Sequence, residues 1–371
     1  MRPHFPWREG HEVELLVDGA NFFPSMLAAI ESARHSVLAE FYLATSGVMA
    51  DQFIDALTDA AKRGVMVRMI IDGYGAHKLS DSDRAKLQAA GVALVVYNPV
   101  QAKKLTQNFL RDHRKLLVVD QELGFLGGAG IDDRYCFKDN EGGPWHDYMV
   151  KVSGPAITDL VTLFHTVWLR CTGVALTPST HEQPKGHAKV RISAVQGMYH
   201  QETKSTFLRY VNQARERIWL VTAYFLPTYS IRQALKKAAE RGVDVRIMIA
   251  GHFTDQPWIY HASKHYYRDL LKAGVKIYEY QPHFLHAKVA IVDDWSSVGS
   301  CNFDHWNLRW NLDVNIEVKA TEFVAELVEK VESDITHCHA VQLNQWLQRP
   351  RRNKLKEASY ALLGRVALRV R

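Results

Sequence analysis

The sequence predicts an α/β protein of two similar halves, each a mostly parallel or mixed β-sheet flanked by helices, related by a pseudo-twofold axis and sharing one active site. Three observations predict it. Helix–glycine–strand segments recur roughly 175–180 residues apart. Short apolar strands alternate with amphipathic helices, the pattern of βαβ units. A His-x-Lys-x4-Asp motif stands once in each half at corresponding places.

The segment DALTDAAKRGVMVRMIIDGYG, from Asp55, matches QALKKAAERGVDVRIMIAGHF, from Gln233. Each reads as an amphipathic helix stopped by a glycine (Gly64, Gly242) in the left-handed C-terminal position, followed by a β-branched strand. KLQAAGVALVVY from Lys86 pairs with DLLKAGVKIYEY from Asp269, again helix, glycine, strand. SARHSVLAEFYL from Ser32 resembles QARERIWLVTAYFL from Gln213, a helix end running into a buried strand. So long a period excludes a solenoid and indicates a duplicated domain. The joint is expected in the turn-rich TPSTHEQPKG (Thr177–Gly186). The expected units are residues 1–180, residues 187–345 and a basic tail, 346–371.

The chain of 371 residues carries a formal charge of +6, but the excess is local. From Arg349 to Arg371 eight Arg or Lys face one acid, Glu357, a net +7, which leaves −1 for the rest. A near-neutral body argues against a polyanion-binding groove, so no nucleic-acid partner is expected. The opening MRPHFPWREG lacks the apolar core of a signal peptide, and no apolar run is long enough for a transmembrane helix. Four scattered cysteines lack metal-ligand spacing and read as reduced thiols. His337, Cys338 and His339 likewise lack the spacing of a zinc site.

The chemistry sits in HRKLLVVD (His113–Asp120) and HAKVAIVD (His286–Asp293). The apolar residues after each Lys read as a buried strand, whose alternation sends His and Lys two apart to one side. A neutral imidazole beside an ammonium suits attack on a phosphodiester: one His as nucleophile, Lys against the non-bridging oxygens. A second His from the other half can protonate the departing alkoxide. Such a pair needs environments that set the two imidazoles in opposite protonation states. No metal is needed. Glycine-led turns follow each motif, GGAGID from Gly127 and GSCNFD from Gly299.

From about His11 to Glu317 this constellation resembles the phospholipase D superfamily, whose HKD motif occurs twice in two-domain members. The resemblance implies two phospholipase D-like domains, His113 as nucleophile through a phosphohistidine, and His286 as acid. It makes Lys115, Lys288, Asp120 and Asp293 the rest of the catalytic set, the two aspartates as supports rather than proton carriers. It further implies that Asp147 (in WHDYMV) and Asp313 (in NLDVNIE) orient the histidines, and that Ser300, Asn302 and Gly128 stand at the phosphate. Gly130 departs from the pattern, standing where an Asn is expected. No cofactor is implied.

Within the superfamily, EVELLVDGANFFPSMLAAI, DGYG at Asp72, the HFTDQPW region and NLDVNIE are similar to bacterial cardiolipin synthases of the shorter type, without N-terminal membrane helices. That implies transphosphatidylation between two phosphatidylglycerol molecules, by a peripheral protein of a bacterium's cytoplasmic membrane. Hydrolytic phospholipase D action or another acceptor remains open, with a phosphodiesterase or nuclease, or a membrane-binding pseudoenzyme given Gly130, as remoter alternatives. Trp258, Tyr260, Tyr266 and Tyr267 suit a membrane interface, with helix packing equally open for the last two. Leu355, Leu362, Val366 and Val370 recur at helical spacing among the tail's cations, as in a helix lying on an anionic membrane. Lys103 and Lys104 read as a solvated loop before the first motif.

Overall fold

A computed structural model describes residues 4–101, 107–137, 143–176, 183–197, 200–302, 310–350, 352 and 356–361. Lys103 and Lys104, most of the expected joint, and the tail residues Leu355, Leu362, Val366 and Val370 lie outside them.

The first half runs β1 (Arg8–Val17), α1 (Gly19–Ser32), β2 (Ser36–Phe41), α2 (Val48–Lys62), β3 (Met66–Asp72), α3 (Asp81–Ala89), β4 (Ala93–Tyr97), β5 (Arg111–Asp112), β6 (Lys115–Val119), β7 (Leu123–Gly127), β8 (Tyr148–Ser153) and α4 (Ile157–Thr172). The second runs β9 (Ala188–Gln196), α5 (Glu202–Gln213), β10 (Arg217–Thr222), α6 (Tyr229–Glu240), β11 (Asp244–Ala250), α7 (Pro257–Lys264), α8 (Tyr267–Lys272), β12 (Lys276–Tyr280), β13 (Lys288–Val292), β14 (Trp295–Gly299), β15 (Asn311–Lys319), α9 (Thr321–Ile335), β16 (Cys338–Ala340) and α10 (Leu343–Gln348).

All the strands form one sheet, ordered β16-β12-β11-β10-β13-β14-β15-β9-β1-β8-β7-β6-β2-β3-β4, with β5 set against β15. The order β12-β11-β10-β13-β14-β15-β9 repeats as β4-β3-β2-β6-β7-β8-β1, so the halves correspond strand by strand. They fuse where β1 meets β9 antiparallel, His11 opposite Ala188. The outer strands of each half, β2-β3-β4 and β10-β11-β12, run parallel, as does the short β5 against β15. The motif strands are joined by short turns and pair antiparallel, β6 with β7 and β13 with β14. The halves are thus mixed rather than mostly parallel, because helix–strand alternation marks only the crossover segments.

Local chemistry places these elements. Gly64 and Gly242 end their helices at φ +91° and +92° with open space around each, so the requirement there is conformational. β6 and β13 are buried along their whole length, lying between neighbours on the sheet and helices on its faces.

The described part of the tail packs on the protein. Trp346 of α10 lies 4.8 Å from the ring of Tyr267, Tyr360 stacks on His261 of α7, and Glu357 pairs with Arg349. Among the described residues no helix is long and apolar enough to cross a membrane.

Candidate active site

His113 and His286 border one cavity of about 640 Å³, together with Lys115. On the strand face 111-113-115, Arg111, His113 and Lys115 all line it. Arg114 turns the other way, fully buried, with its guanidinium 3.3 Å from Glu40. The alternation expected from the sequence therefore holds at the site. A main-chain bond from His113 N–H to the Leu312 carbonyl, 2.8 Å, ties the first motif to β15 of the other half.

Each histidine is oriented by a carboxylate from the opposite half. His113 Nδ1 lies 2.8 Å from Asp313 Oδ1, and His286 Nδ1 lies 2.7 Å from Asp147 Oδ2. With Nδ1–H donating to the carboxylate, each Nε2 keeps its lone pair for chemistry. Ser300 Oγ donates to the same Asp313 oxygen at 2.8 Å and fixes that carboxylate in turn. At the position equivalent to Ser300 stands Gly128, where a Cβ would come within 2.4 Å of an Asp147 oxygen. Gly128 is there to admit the carboxylate.

Lys115 Nζ donates to the His113 carbonyl at 2.7 Å and faces the Tyr42 ring, which also lies 4.7 Å from the His113 ring. Lys288 Nζ donates to the His286 carbonyl and lies 3.0 Å from His286 Nε2. Asn302 borders the cavity with both amide atoms buried and unpartnered. Lys115 and an unsatisfied amide on the cavity wall, with Lys288 against His286, suit an anionic oxygen group.

The electrostatics agree. Burial, and then the neighbouring charge of Lys288, push Lys115 down to about 7. Burial and the two lysines hold His113 well below the usual imidazole range, and burial with Lys288 takes His286 to about 4. The carboxylates differ. Burial lifts Asp313 to about 7, whereas Asp147, also raised by burial, is held below its usual range by Lys288 and the His286 hydrogen bond.

The motif aspartates are not in the cavity. Asp120 and Asp293 end β6 and β13, at φ 52° and 49°. Asp120 accepts from the main-chain N–H groups of Arg34, His35 and Ser36 at 2.7–2.9 Å. Asp293 does the same for Arg215, Glu216 and Arg217 at 2.9–3.0 Å. Each holds the start of a neighbouring strand, one strand length away from its motif histidine.

Gly130 sits where Asn302 stands in the other half, and a Cβ there would come within 2.5 Å of the Leu43 carbonyl and 2.6 Å of its Cβ. No side chain fits. Gly130→Asn is therefore expected to destabilise the fold by about 1–3 kcal/mol with no gain in activity, read by urea unfolding and a rate assay. Equal stability with a faster rate would show that Leu43 yields.

Sequence reasoning missed several lining groups. Tyr135, whose hydroxyl lies 3.2 Å from His286 Nδ1, and Trp145, 5.2 Å from the His286 ring, wrap that histidine in aromatic surface. Arg111 could have been found, since it stands two residues before His113 on the same strand face. Of the expected interfacial aromatics, Tyr266 and Tyr267 are core residues, while Trp258 is 39% exposed and borders the cavity. Cys301 is fully buried, as a packing residue.

Two strand-for-strand halves meeting at paired His and Lys define a phospholipase D-like protein. The chain belongs to the family described as "Cardiolipin synthase, PLD-like domain", which matches residues 26–168 and 207–335. It is 35% identical to a cardiolipin synthase of Alkalihalophilus pseudofirmus and 34% identical to one of Geobacillus kaustophilus, each over 95% of this chain and 72% of the relative. Its fold is similar to that of phosphatidylserine synthase from Haemophilus influenzae, with a TM-score of 0.72 at 15% identity over 96% of this chain and 94% of the other.

Proposed function

We propose that the protein is a cardiolipin synthase that joins two phosphatidylglycerol molecules at a membrane surface and releases glycerol. The observation carrying this reading is the crossed pair of histidines, each oriented by the opposite half's carboxylate, with Lys115 and Lys288 beside them.

In the first step His113 Nε2 attacks the phosphorus of one phosphatidylglycerol. The P–O bond to glycerol breaks, and His286 gives its proton to the departing alkoxide. The terminal hydroxyl of a second phosphatidylglycerol then attacks the phosphatidyl-histidine, returning its proton to His286 and freeing His113. The lysines offset the charge on the non-bridging oxygens. Bound phosphate supplies the negative charge that lets one imidazole hold a proton. The ionised Asp147 favours His286 for that role, and the strongly depressed His113 suits the nucleophile.

A lipid substrate is supported by the rim of the cavity, where Tyr74, Val100 and Trp258 are 57%, 55% and 39% exposed. Exposed large side chains at the cavity suit a mouth apposed to lipid, which also limits water as a competing acceptor. No metal or cofactor enters the scheme.

The test is mass spectrometry of products from phosphatidylglycerol vesicles. Wild type is expected to give cardiolipin and glycerol, with at least a thousandfold loss in His113→Ala and in His286→Ala (of the order that removing a nucleophile or its base costs). Phosphatidic acid as the sole product would replace the synthase reading with a hydrolase.

A further inference from the structure

The two halves agree at His and Lys but differ two residues earlier. The first motif reads Arg111-x-His113-x-Lys115 and the second Phe284-x-His286-x-Lys288. Phe284 packs edge-on against Trp145, its ring centroid 4.8 Å away. Arg111 instead brings a cation to the cavity wall from β5, in register with Asn311 of β15.

Arg111 is 6% exposed, and only part of its fork is used. Nη1 lies 3.3 Å from Asp72 Oδ1 and donates to the Asn98 carbonyl at 3.0 Å, while Nε and Nη2 are buried without a partner. Asp72 itself is already engaged by the main-chain N–H groups of Tyr74, Gly75 and Asp112. A guanidinium with two idle donors at a cavity wall marks the place of an anion still to arrive. The reacting phosphate is accounted for by the symmetric lysines and Asn302. An acceptor phospholipid carries a second phosphodiester, which stays intact and needs a cation on one side of the site only.

We propose that Arg111 holds the phosphate of the acceptor lipid and thereby selects an anionic phospholipid over water or a simple alcohol. This inference rests on the transfer reaction proposed above. Ethanol offers a hydroxyl without a phosphate and competes for the same phosphatidyl-histidine. The experiment incubates the full chain with phosphatidylglycerol vesicles in dilute ethanol and reads cardiolipin and phosphatidylethanol from one mixture. In Arg111→Gln the ratio of cardiolipin to phosphatidylethanol is expected to fall about 30-fold, the scale of a lost charge-assisted hydrogen bond. Arg111→Lys keeps the charge but not the fork and should lower the ratio about fivefold; it carries the test should the Gln variant fail to fold.

A ratio unchanged in both variants overturns the proposal, whatever happens to the total rate, because Arg111 would then serve the donor phosphate or the fold. Phosphatidylethanol without cardiolipin from the wild type overturns the synthase reading itself, and this inference with it.

Discussion

Asp313→Asn is expected to lower kcat by about three to four orders of magnitude and to raise folding stability at neutral pH. The catalytic half follows from the 2.8 Å contact with His113 Nδ1. The carboxylate accepts the Nδ1 proton and so leaves Nε2 unprotonated toward the phosphorus. An Asn amide can present its NH2 instead and select the opposite tautomer, and the same replacement costs a serine protease about 10⁴ in kcat.

The stability half follows from burial, which lifts Asp313 to about 7 in the folded protein. For a carboxyl raised above its unfolded value, the folded state is penalised as pH rises from about 4 through about 7, and the penalty is complete above that. Asn carries none of it. Urea unfolding at pH 5 and pH 8 should therefore show the variant gaining on the wild type at the higher pH, by up to a few kcal/mol. A kcat loss below tenfold would sink the tautomer argument, and a stability gap independent of pH would sink the other.

The second large effect is expected at His146, beside Asp147 in the chain. Its ring is clamped between Asp18 Oδ1 at 2.7 Å and Asp334 Oδ2 at 2.8 Å, and it stacks on Tyr280. Asp18 follows β1 of the first half, and Asp334 belongs to α9 of the second. The main chain here is shared with the site: His286 N–H donates to the His146 carbonyl at 2.8 Å, and Asp147 N–H to Asp18 at 3.2 Å. Burial alone would lower the imidazole, but the bonds to Asp18 and Asp334 outweigh it and raise it to about 10. The neighbouring His283 is lowered, first by burial and then by this charge. Tyr148 donates to Asp334 as well and completes the ring of groups around the cation.

His146→Gln should destabilise the protein by about 3 kcal/mol below pH 6.5, Asp18 being partly exposed and Asp334 largely buried. A histidine raised in the folded state stabilises fully below its unfolded value, and the benefit is lost as pH climbs to about 10. The gap between wild type and variant in urea unfolding should accordingly close between pH 6.5 and 10. A constant gap would mean that the shape of the imidazole matters and its charge does not.

What could be read in the sequence is what local covalent geometry fixes. His and Lys two apart must share a strand face, so His113 with Lys115 and His286 with Lys288 were legible as pairs. Gly64 and Gly242 were legible as helix stops because few other residues accept that backbone conformation. The duplication was legible because each half repeats the same local pattern.

What only the tertiary structure decided depends on how the halves dock. The bonds that orient the histidines span 200 and 139 residues, His113 to Asp313 and His286 to Asp147, so each half supplies the carboxylate to the other's motif histidine. No spacing rule reaches across such separations. The same holds for the merging of both sheets through β1 and β9, for the Leu43 main chain that keeps Gly130 bare, and for Asp120 and Asp293. Those two aspartates belong to the motif in sequence, but a five-residue strand carries each to the far end, where it holds the next strand's main chain. Alternation and capping are short-range steric facts carried by each residue and its neighbours. The pairing of charges across the cleft is a long-range fact, fixed only when burial of both halves brings distant groups within hydrogen-bond reach.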